Sequence, residues 1–175
     1  MPILAGLHTL GQHLAHLQSH AADYLPKQCP SCGRAGLWRH GSYTRKSDRD
    51  GHGLNPIPIP RFRCPCCRRT CSSLPQCIPP RRWYLWRVQE LCLRVLLLGY
   101  SFHALSRQWP PSRPTLRRWW QRLQERFVLH RDTLCACWPW AATAREFGDF
   151  WSHCLTRQLL SGAMLTLLRA DVCIP

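Results

Sequence analysis

Residues 29–33 read Cys-Pro-Ser-Cys-Gly and residues 64–68 read Cys-Pro-Cys-Cys-Arg, and these two stretches decide the fold. Each contains a C-x2-C step, and 31 residues separate the inner cysteines. A C-x2-C turn directs two thiolates at one point. Two facing turns therefore supply the four sulfurs, at about 2.3 Å, that tetrahedral Zn²⁺ requires. The spacing predicts a structural zinc site whose ligands are Cys29, Cys32, Cys64 and Cys67.

The sequence leaves alternatives to this site open. The cysteines could be unligated, or they could form disulfides in a secreted protein. Cys66, Cys71 and Cys77 lie in or after the second pair, and any of them could replace a ligand. We interpret Cys71 and Cys77 as packing residues and expect the Cys66 side chain to point away from the metal.

The segment between the cysteine pairs predicts a β-hairpin. Residues 37–46 carry aromatic and β-branched side chains, and the polar run 47–51 follows them. The return strand, residues 57–63, contains Pro58 and Pro60. Alternate amides of a strand point to the same edge, so these prolines remove donors from one edge only. We therefore expect this strand to lie at the sheet edge, in a zinc ribbon that spans residues 27–80.

Composition indicates the class of protein. The chain has 175 residues, enough for one or two small domains. Its N-terminal residues lack the basic region, apolar stretch and cleavage site of a signal peptide, and no apolar run approaches the ~18 residues of a membrane span. We predict a cytoplasmic, nucleoid-associated protein without a membrane partner, whose twelve cysteines stay reduced.

The net charge of +15 is unevenly distributed. Residues 27–82 contain 12 basic and 2 acidic residues, and residues 83–131 contain 9 and 2. The two flanking segments each sum to −1. Concentrated positive charge is typical of proteins that bind polyanions, most simply nucleic acid; the alternative is a solvated basic surface.

Residues 1–26 predict an amphipathic helix. Apolar residues recur at alternating steps of four and three from Ile3 to Tyr24, and Pro26 ends the pattern. So short a helix is marginal alone, so we expect it to dock on the body of the protein, with a homodimer as the alternative. The helix carries His8, His13, His16 and His20. His16 and His20, four residues apart, could share a metal, but without further ligands we interpret them as solvated side chains.

A stiff basic linker, Pro79-Pro80-Arg81-Arg82, is predicted to lead into three helices. The first ends at Gly99 and is expected to be largely buried. Its apolar stripe is formed by Tyr84, Val88, Leu91, Val95 and Leu98 and is widened by Leu85, Cys92 and Leu96. Ser101 is placed to cap a short helix over residues 102–108. Ser112 is placed to cap a third helix that runs to Phe127, with Pro114 in its first turn. The predicted buried stripe of the third helix is Leu116, Trp120, Leu123 and Phe127.

This order of helices is the layout of a helix-turn-helix module. Guanidinium groups pair with guanine or phosphate, and glutamine pairs with adenine. We therefore predict that the third helix binds double-stranded DNA through Arg113, Thr115, Arg117, Arg118, Gln121 and Arg122. The alternative is a three-helix bundle with a charged face.

The stretch from Cys29 to about Phe127 resembles the zinc-ribbon plus helix-turn-helix region of many bacterial insertion-sequence transposases, and stand-alone bacterial proteins of the same layout. The matching residues are Cys29-Pro-Ser-Cys32-Gly33, Trp38-Arg-His-Gly41, Ile59-Pro-Arg-Phe-Arg-Cys64-Pro-Cys-Cys67-Arg-Arg-Thr70 and Ser112-Arg-Pro-Thr-Leu-Arg-Arg-Trp119. The resemblance implies DNA binding linked to mobile elements, with a transposase chain as a further partner.

Two positions depart from that pattern. Pro110 stands where such turns usually have a glycine with positive φ, which proline cannot adopt, so the turn is expected to differ locally. Cys71 stands where relatives carry an aromatic residue, so the exit from the ribbon is expected to be less well packed.

The sequence does not predict a self-sufficient enzyme. Transposases of this type need a large domain that places three acidic residues on Mg²⁺. The chain has nine acidic residues, of which Asp132, Glu146, Asp149 and Asp171 follow Phe127. The remaining 48 residues are too few for such a domain.

The sequence thus predicts an α+β protein that is mostly α, in four parts: an N-terminal helix (1–26), a zinc ribbon (27–80), a helix-turn-helix domain (83–128) and a helical tail (129–175). The predicted function is zinc-dependent binding of double-stranded DNA, by a transposase-associated protein or the DNA-binding region of a truncated transposase. The alternatives are an RNA-binding or protein-scaffold zinc ribbon, and a DNA-binding subunit of a separate catalytic chain.

Overall fold

The computed structural model describes residues 2–46, 54–80 and 83–172. The chain divides into two units, Met1–Leu85 and Trp86–Pro175, called here the ribbon unit and the helical unit. The fold is α+β and mostly α, as predicted. The polar run expected to close the hairpin, residues 47–51, lies outside the described residues, as do Arg81 and Arg82 of the predicted linker.

The ribbon unit contains the predicted antiparallel hairpin. Strand β2 (Trp38–Arg45) pairs with β3 (Ile57–Arg63), and the register shifts at His40 and Gly41. Two residues there face one on β3, which is the pattern of a β-bulge. Gly41 takes a φ of +77°, a conformation that glycine adopts without steric cost.

The prediction that the proline-containing strand lies at the sheet edge is wrong as stated. A short strand, β4 (Thr70–Cys71), pairs with Phe62 and Arg63, so β3 is the middle strand of three. The amide of Cys64 donates to the carbonyl of Arg69 on the β4 side, at 3.0 Å. Because alternate residues share an edge, Pro58 and Pro60 present their nitrogens to that same side. Strand β4 can still pair with β3, because it pairs only with Phe62 and Arg63, which follow the last proline and have amide donors.

The N-terminal residues do not form one continuous helix. They form β1 (Ile3–Leu4), α1 (Leu10–Ser19) and a 3-10 turn, Ala21–Tyr24. Gly6, with a φ of +84°, interrupts the predicted helix. Thr9 and Gln12 form a capping box that starts α1, and this start signal is present in the sequence.

The N-terminal segment docks within the ribbon unit, as predicted. Strand β1 pairs in parallel with β5 (Leu74–Pro75), and the Gln76 side chain accepts a hydrogen bond from the amide of Gly6 at 2.9 Å. Two apolar clusters then form on the sheet. We number them second and third, because the helical unit contains the first apolar cluster. The second apolar cluster contains Leu7, Tyr24, Cys29, Leu37, Phe62 and Cys64, and the third contains Leu10, Ile57, Ile59, Leu74, Cys77 and Ile78.

Among the four N-terminal histidines, His13 is fully buried, a position that the sequence did not predict. Its Nε2 lies 3.1 Å from the Pro58 carbonyl, which can only accept, so Nε2 carries the proton. The bare Nδ1 then accepts a hydrogen bond from the Tyr24 hydroxyl at 2.5 Å. Burial lowers the pKa of His13, with His16 lowering it further and the Pro58 carbonyl raising it.

The helical unit contains the three predicted helices and four further helical segments. The predicted three are α2 (Trp86–Leu97), α3 (Phe102–Gln108) and α4 (Arg113–Glu125). They are followed by α5 (Phe127–Cys137), a 3-10 turn (Pro139–Thr143), α6 (Phe147–Arg157) and α7 (Leu160–Arg169).

The predicted buried stripe of the first helix is correct at Tyr84 and Cys92, which are buried, and wrong at two of its leucines. Leu91 and Leu98 are exposed, whereas Trp86, Gln89 and Leu93 are buried. Seven of the eight residues from 91 to 98 are apolar, so apolar spacing does not choose a face. The charged residues Arg87 and Arg94, seven apart, mark the solvent side.

The caps around α3 agree with the sequence. Gly99 has a φ of +89°, its amide donates to the Leu96 carbonyl, and the Tyr100 amide donates to the Val95 carbonyl, which together form a Schellman motif. The Ser101 hydroxyl accepts from the Ala104 amide at 3.1 Å. No residue from 109 to 112 has a positive φ, so the turn before α4 differs from the glycine-containing form, as Pro110 led us to expect.

The predicted tail supplies most of the core of the helical unit. Eleven of the fourteen buried residues in its apolar cluster follow residue 128, and Phe150 and Trp151 are fully buried. The helix-turn-helix residues and residues 129–175 therefore belong to one compact unit rather than to a domain followed by a tail. Within the described ranges, the structure contains no helix of the length and hydropathy needed to cross a bilayer.

Candidate metal centre and nucleic-acid interface

Two cysteine turns with the same backbone geometry form the candidate metal centre. In the first knuckle, residues 29–34, the Gly33 amide donates to the Cys29 carbonyl and the Cys29 amide donates to the Arg34 carbonyl, both at 2.8 Å. The second knuckle, residues 64–69, has the same two bonds. The Arg68 amide donates to the Cys64 carbonyl at 3.1 Å, and the Cys64 amide donates to the Arg69 carbonyl at 3.0 Å. The residue after each second cysteine is left-handed, with φ of +72° at Gly33 and +58° at Arg68.

The structure brings the four predicted ligands together. The sulfurs of Cys29, Cys32, Cys64 and Cys67 all lie within 4.8 Å of one another. The Sγ atoms of Cys29 and Cys67 are 3.7 Å apart, and those of Cys32 and Cys64 are 3.6 Å apart. A tetrahedron with metal–sulfur bonds of about 2.3 Å has edges of about 3.8 Å. The four sulfurs therefore fit a tetrahedral metal ion, and four protein ligands leave no open position for a substrate.

The electrostatics of the centre favour a thiolate at Cys29 and oppose one at Cys67. The amide of Ser31 lies 3.4 Å from Cys29 Sγ and donates to it, and this bond is the main reason that the pKa of Cys29 is lowered to about 6. The pKa of Cys67 is raised to about 12, because burial and the three neighbouring cysteines outweigh the lowering by the Arg69 amide. Four thiols this close cannot all ionise alone, so a bound cation is needed to hold four thiolates.

The three alternative cysteine ligands do not join the cluster. Cys66 is exposed, and Cys71 is half-buried and packs against the second apolar cluster. Cys77 is buried in the third cluster, and burial raises its pKa to about 12. The cysteines in the described ranges are all free of disulfides.

The remaining groups that could bind a metal stay apart. His16 and His20 stack their rings at 4.9 Å, and His16 Nε2 contacts a carboxylate oxygen of Asp23 at 2.9 Å. These groups do not converge on one point, and neither do the four acidic residues that follow Phe127. In the part of the chain that the structure describes, the four-cysteine cluster is the one group of three or more potential ligands within metal-binding distance.

Helix α4 presents the predicted DNA-contacting residues on its outer side. Arg113, Arg117, Arg118 and Gln121 are exposed, while Thr115 and Arg122 are half-buried. Leu116 and Leu123 of the predicted stripe are buried. Trp119 is also buried, whereas Trp120 is half-buried against Phe102 and Phe147, and Phe127 belongs to α5.

The arginines of α4 are not neutralised by the salt bridges found among the described residues. Those bridges join His16 to Asp23, Arg94 to Glu90 and Arg131 to Asp132. Thr115 Oγ1 contacts Ser112 Oγ at 3.1 Å and Arg118 Nη2 at 3.5 Å, which orients the first turn of the helix. The outer side of α4 is therefore a positively charged helix face with hydrogen-bonding groups near its N-terminus.

Sequence reasoning missed the groups that support the metal centre. The Ser31 and Arg69 amides donate to the sulfurs, and the left-handed residues 33 and 68 permit each turn. The glycine after Cys32 was a visible signal for the first knuckle. The second knuckle has arginine at that position, so the sequence contained no such signal there.

The sequence profile of one protein family, described as "Domain of unknown function (DUF6431)", matches residues 29–119. The match begins at the first cysteine of the metal centre and covers more than half of the chain. Comparison with curated proteins and with solved structures gave no match.

Proposed function

The chain belongs to the DUF6431 family, and we propose that it is a zinc-dependent protein that binds double-stranded DNA through α4. The observation that carries the proposal is the two-sided character of this helix. Its inner side is buried through Leu116, Trp119 and Leu123, and its outer side exposes three arginines and a glutamine. A helix of this kind, preceded by a short helix and a tight turn, can enter a major groove.

The charge distribution supports a nucleic-acid partner over a generally solvated surface. Residues 83–131 contain 9 basic and 2 acidic residues, and both acidic residues, Glu90 and Glu125, lie outside α3 and the first three turns of α4. Arginine forks can hydrogen-bond to guanine O6 and N7 or to phosphate oxygens, and Gln121 can read adenine. Through these contacts the protein both binds the DNA phosphate backbone and discriminates between base sequences.

Zinc has a structural role in this proposal. Thiolate ligands select zinc among the common divalent ions, and a closed set of four cysteines is typical of structural sites. Binding of the ion to the four cysteines contributes directly to the folding of the ribbon unit.

The test is duplex-DNA affinity measured across a salt series for the wild type and the double variant Arg117→Ala/Arg118→Ala. The logarithm of the affinity should fall with log salt by about 0.9 per phosphate contact, so loss of two contacts reduces the slope by up to about 1.8. We expect the affinity to fall at least about tenfold at moderate salt, because each lost base or phosphate contact costs about 1–3 kcal/mol.

A matched control removes the same charge elsewhere in the helical unit. Arg145 and Arg169 are exposed and lie off α4. The variant Arg145→Ala/Arg169→Ala should retain nearly the wild-type affinity and slope. Equal losses in both double variants, with the fold intact by circular dichroism, would show that only net charge matters and would refute the assignment of α4.

The resemblance of the sequence to insertion-sequence transposases supports a role connected with mobile elements. In this extension of the proposal, the protein is a DNA-binding partner of a separate catalytic chain and is not itself an enzyme. Affinity purification of the tagged protein from its native cells should recover a transposase chain. Recovery of DNA without such a chain would leave the DNA-binding function and remove the link to transposition.

A further inference from the structure

One side of the ribbon sheet carries aromatic and basic side chains beyond the end of its apolar cluster, and these side chains are separate from those of α4. We propose that the face formed by Trp38, Tyr43, Arg61 and Arg63, called here the ribbon face, binds an unpaired nucleic-acid strand. The proposal concerns the ribbon unit alone and does not depend on duplex binding by α4.

The register of the hairpin puts these four residues on one side of the sheet. Trp38 lies opposite Arg63, and Tyr43 lies opposite Ile59. Alternate residues of a strand share a face, so Arg61 falls between Ile59 and Arg63 on that side. Contact between Arg61 and Tyr43 confirms the placement, because the guanidinium carbon lies 5.4 Å from the centroid of the ring.

The ribbon unit covers this side of the sheet only in part. Ile57 and Ile59 are fully buried in the third apolar cluster. Farther along the same strand, Arg61 and Arg63 are half-exposed, and the opposing Trp38 side chain remains 47% exposed. The third apolar cluster therefore covers this side of the sheet only as far as Ile59. The indole of Trp38 and the guanidinium groups of Arg61 and Arg63 lie beyond it.

Charge identifies the kind of partner. The described residues of the ribbon, 29–46 and 54–80, contain eight basic side chains and no aspartate or glutamate. None of the salt bridges found in the described ranges involves Arg61 or Arg63. An anionic partner therefore meets no like charge on this face and can pair with guanidinium groups directly.

The exposed indole identifies an unpaired strand among the anionic partners. A solvent-exposed aromatic ring offers its π-face to a base, and stacking of this kind contributes about 1–3 kcal/mol per base to single-strand binding. The bases of a duplex are already stacked on one another and have no free face for the indole. Trp38 therefore stacks a base of a single strand while Arg61 and Arg63 bind its phosphates.

The experiment uses the full-length zinc-loaded protein and a labelled oligothymidylate of about 12 nucleotides, within the usual range of single-strand site sizes. Affinity is measured by fluorescence anisotropy. Trp38→Ala should weaken binding by about 5- to 150-fold, the loss expected when one stacked base is removed. Trp38→Phe should retain most of the affinity, and Trp38→Leu, which keeps apolar bulk without a π-system, should weaken binding like alanine.

Trp83 provides the matched control, since it is an exposed tryptophan of the same unit, 60% accessible, outside the ribbon face. Trp83→Ala should leave oligothymidylate affinity unchanged. Equal affinities of the Trp38→Ala and Trp83→Ala proteins, at equal zinc content, would overturn the proposal. Arg61→Gln/Arg63→Gln should reduce the salt slope by about 1.4, because each phosphate contact of a single strand contributes about 0.7.

Two further arms separate this site from α4 and identify the type of strand. Arg117→Ala/Arg118→Ala should leave oligothymidylate binding intact, and Trp38→Ala should leave duplex binding intact. Loss of single-strand binding in the α4 variant would place the site on α4 and overturn the proposal. Oligouridylate measured in parallel shows whether the strand is DNA or RNA, and dependence of either on Trp38 supports the ribbon face.

Discussion

The two units of this chain reach stability by different routes. The ribbon unit buries its apolar residues in two clusters of six, divided by a three-stranded sheet, and gathers four cysteines at one end. The helical unit buries fourteen residues in one cluster. Small clusters stabilise a fold weakly, and domains with limited cores commonly depend on metal ions. The four-cysteine cluster can add a metal site to the limited apolar cores of the ribbon unit, whereas the helical unit has one large apolar core.

Loss of the metal should produce the largest difference in stability between the two units. Cys29→Ser and Cys64→Ser should each lose zinc, because each removes one of the four thiolate ligands. The ribbon unit should then unfold, because metal binding at a structural site contributes about 10–16 kcal/mol of apparent free energy to folding. Hydrogen exchange should show the ribbon unit unfolded and the helical unit still protected. Cys66→Ser, which changes an exposed cysteine outside the cluster, is the control and should keep its zinc. Native-like metal content in both ligand variants would overturn the ligand assignment.

Damage to the helical core should produce the opposite pattern. Phe150 is fully buried and contacts Phe127 and Trp151 edge-on. Phe150→Ala should cost about 3–5 kcal/mol, the usual loss for a large aromatic side chain in a core. Denaturation should reveal an unstable helical unit in a protein that still holds zinc. Val128→Ala, at a position 61% exposed, should change stability by less than about 0.5 kcal/mol.

Acid should weaken the ribbon unit through His13. Burial lowers the pKa of this histidine, so the unfolded chain takes up a proton near pH 6.5 while the folded chain does not. Stability is therefore complete above pH 6.5 and is lost as pH falls below it, by at most about 1.4 kcal/mol per pH unit for one proton. Hydrogen exchange at Ile57 and Ile59 measures the loss.

Protonation of the thiolates also weakens the ribbon unit in acid, so a comparison variant is needed. His13→Gln keeps a side-chain donor for the Pro58 carbonyl and removes the titration. The difference between its pH profile and that of the wild type isolates the histidine. Parallel profiles would mean that His13 does not contribute to the acid sensitivity.

The smallest effects should come from the left-handed residues of the knuckles. A Cβ at Gly33 would meet no atom within 4 Å, so the cost of Gly33→Ala is the backbone conformation alone, about 1 kcal/mol. Arg68→Gly should relieve a similar strain in the second knuckle, offset in part by the greater freedom of the unfolded chain. Zinc competition should give about fivefold weaker binding for the first variant and equal or tighter binding for the second.

The ribbon was largely predictable because its signals are local. The two C-x2-C steps specify the metal-binding turns, and the strand-forming residues of 37–46 and 57–63 specify the hairpin. Each of these signals lies within a short stretch of sequence. The burial of His13 was not predictable, because its partners Tyr24 and Pro58 lie 11 and 45 residues away in the chain. Pairing of β1 with β5 is equally non-local, and two-residue strands leave no periodic pattern.

The helical unit was predictable in its boundaries and less so in its packing. Gly99, Ser101 and Ser112 mark the ends of α2, α3 and α4 in the sequence, and the structure places the boundaries there within about two residues. The buried face of α2 and the role of residues 129–175 depend on which apolar surfaces meet. In residues 91–98 the apolar spacing does not choose a face, and only the charged residue Arg94 marks the solvent side.

The prolines of β3 also limit where another chain could add a strand to the sheet. A strand edge with free amides is a template on which a second chain can add a strand, and this is a common start of aggregation. Pro58 and Pro60 offer no donors along the edge that β4 leaves uncovered, and His13 already occupies the Pro58 carbonyl. A neighbouring chain therefore finds no hydrogen-bonding ladder beside Pro58 and Pro60, and strand addition to this sheet is left to the outer edge of β2.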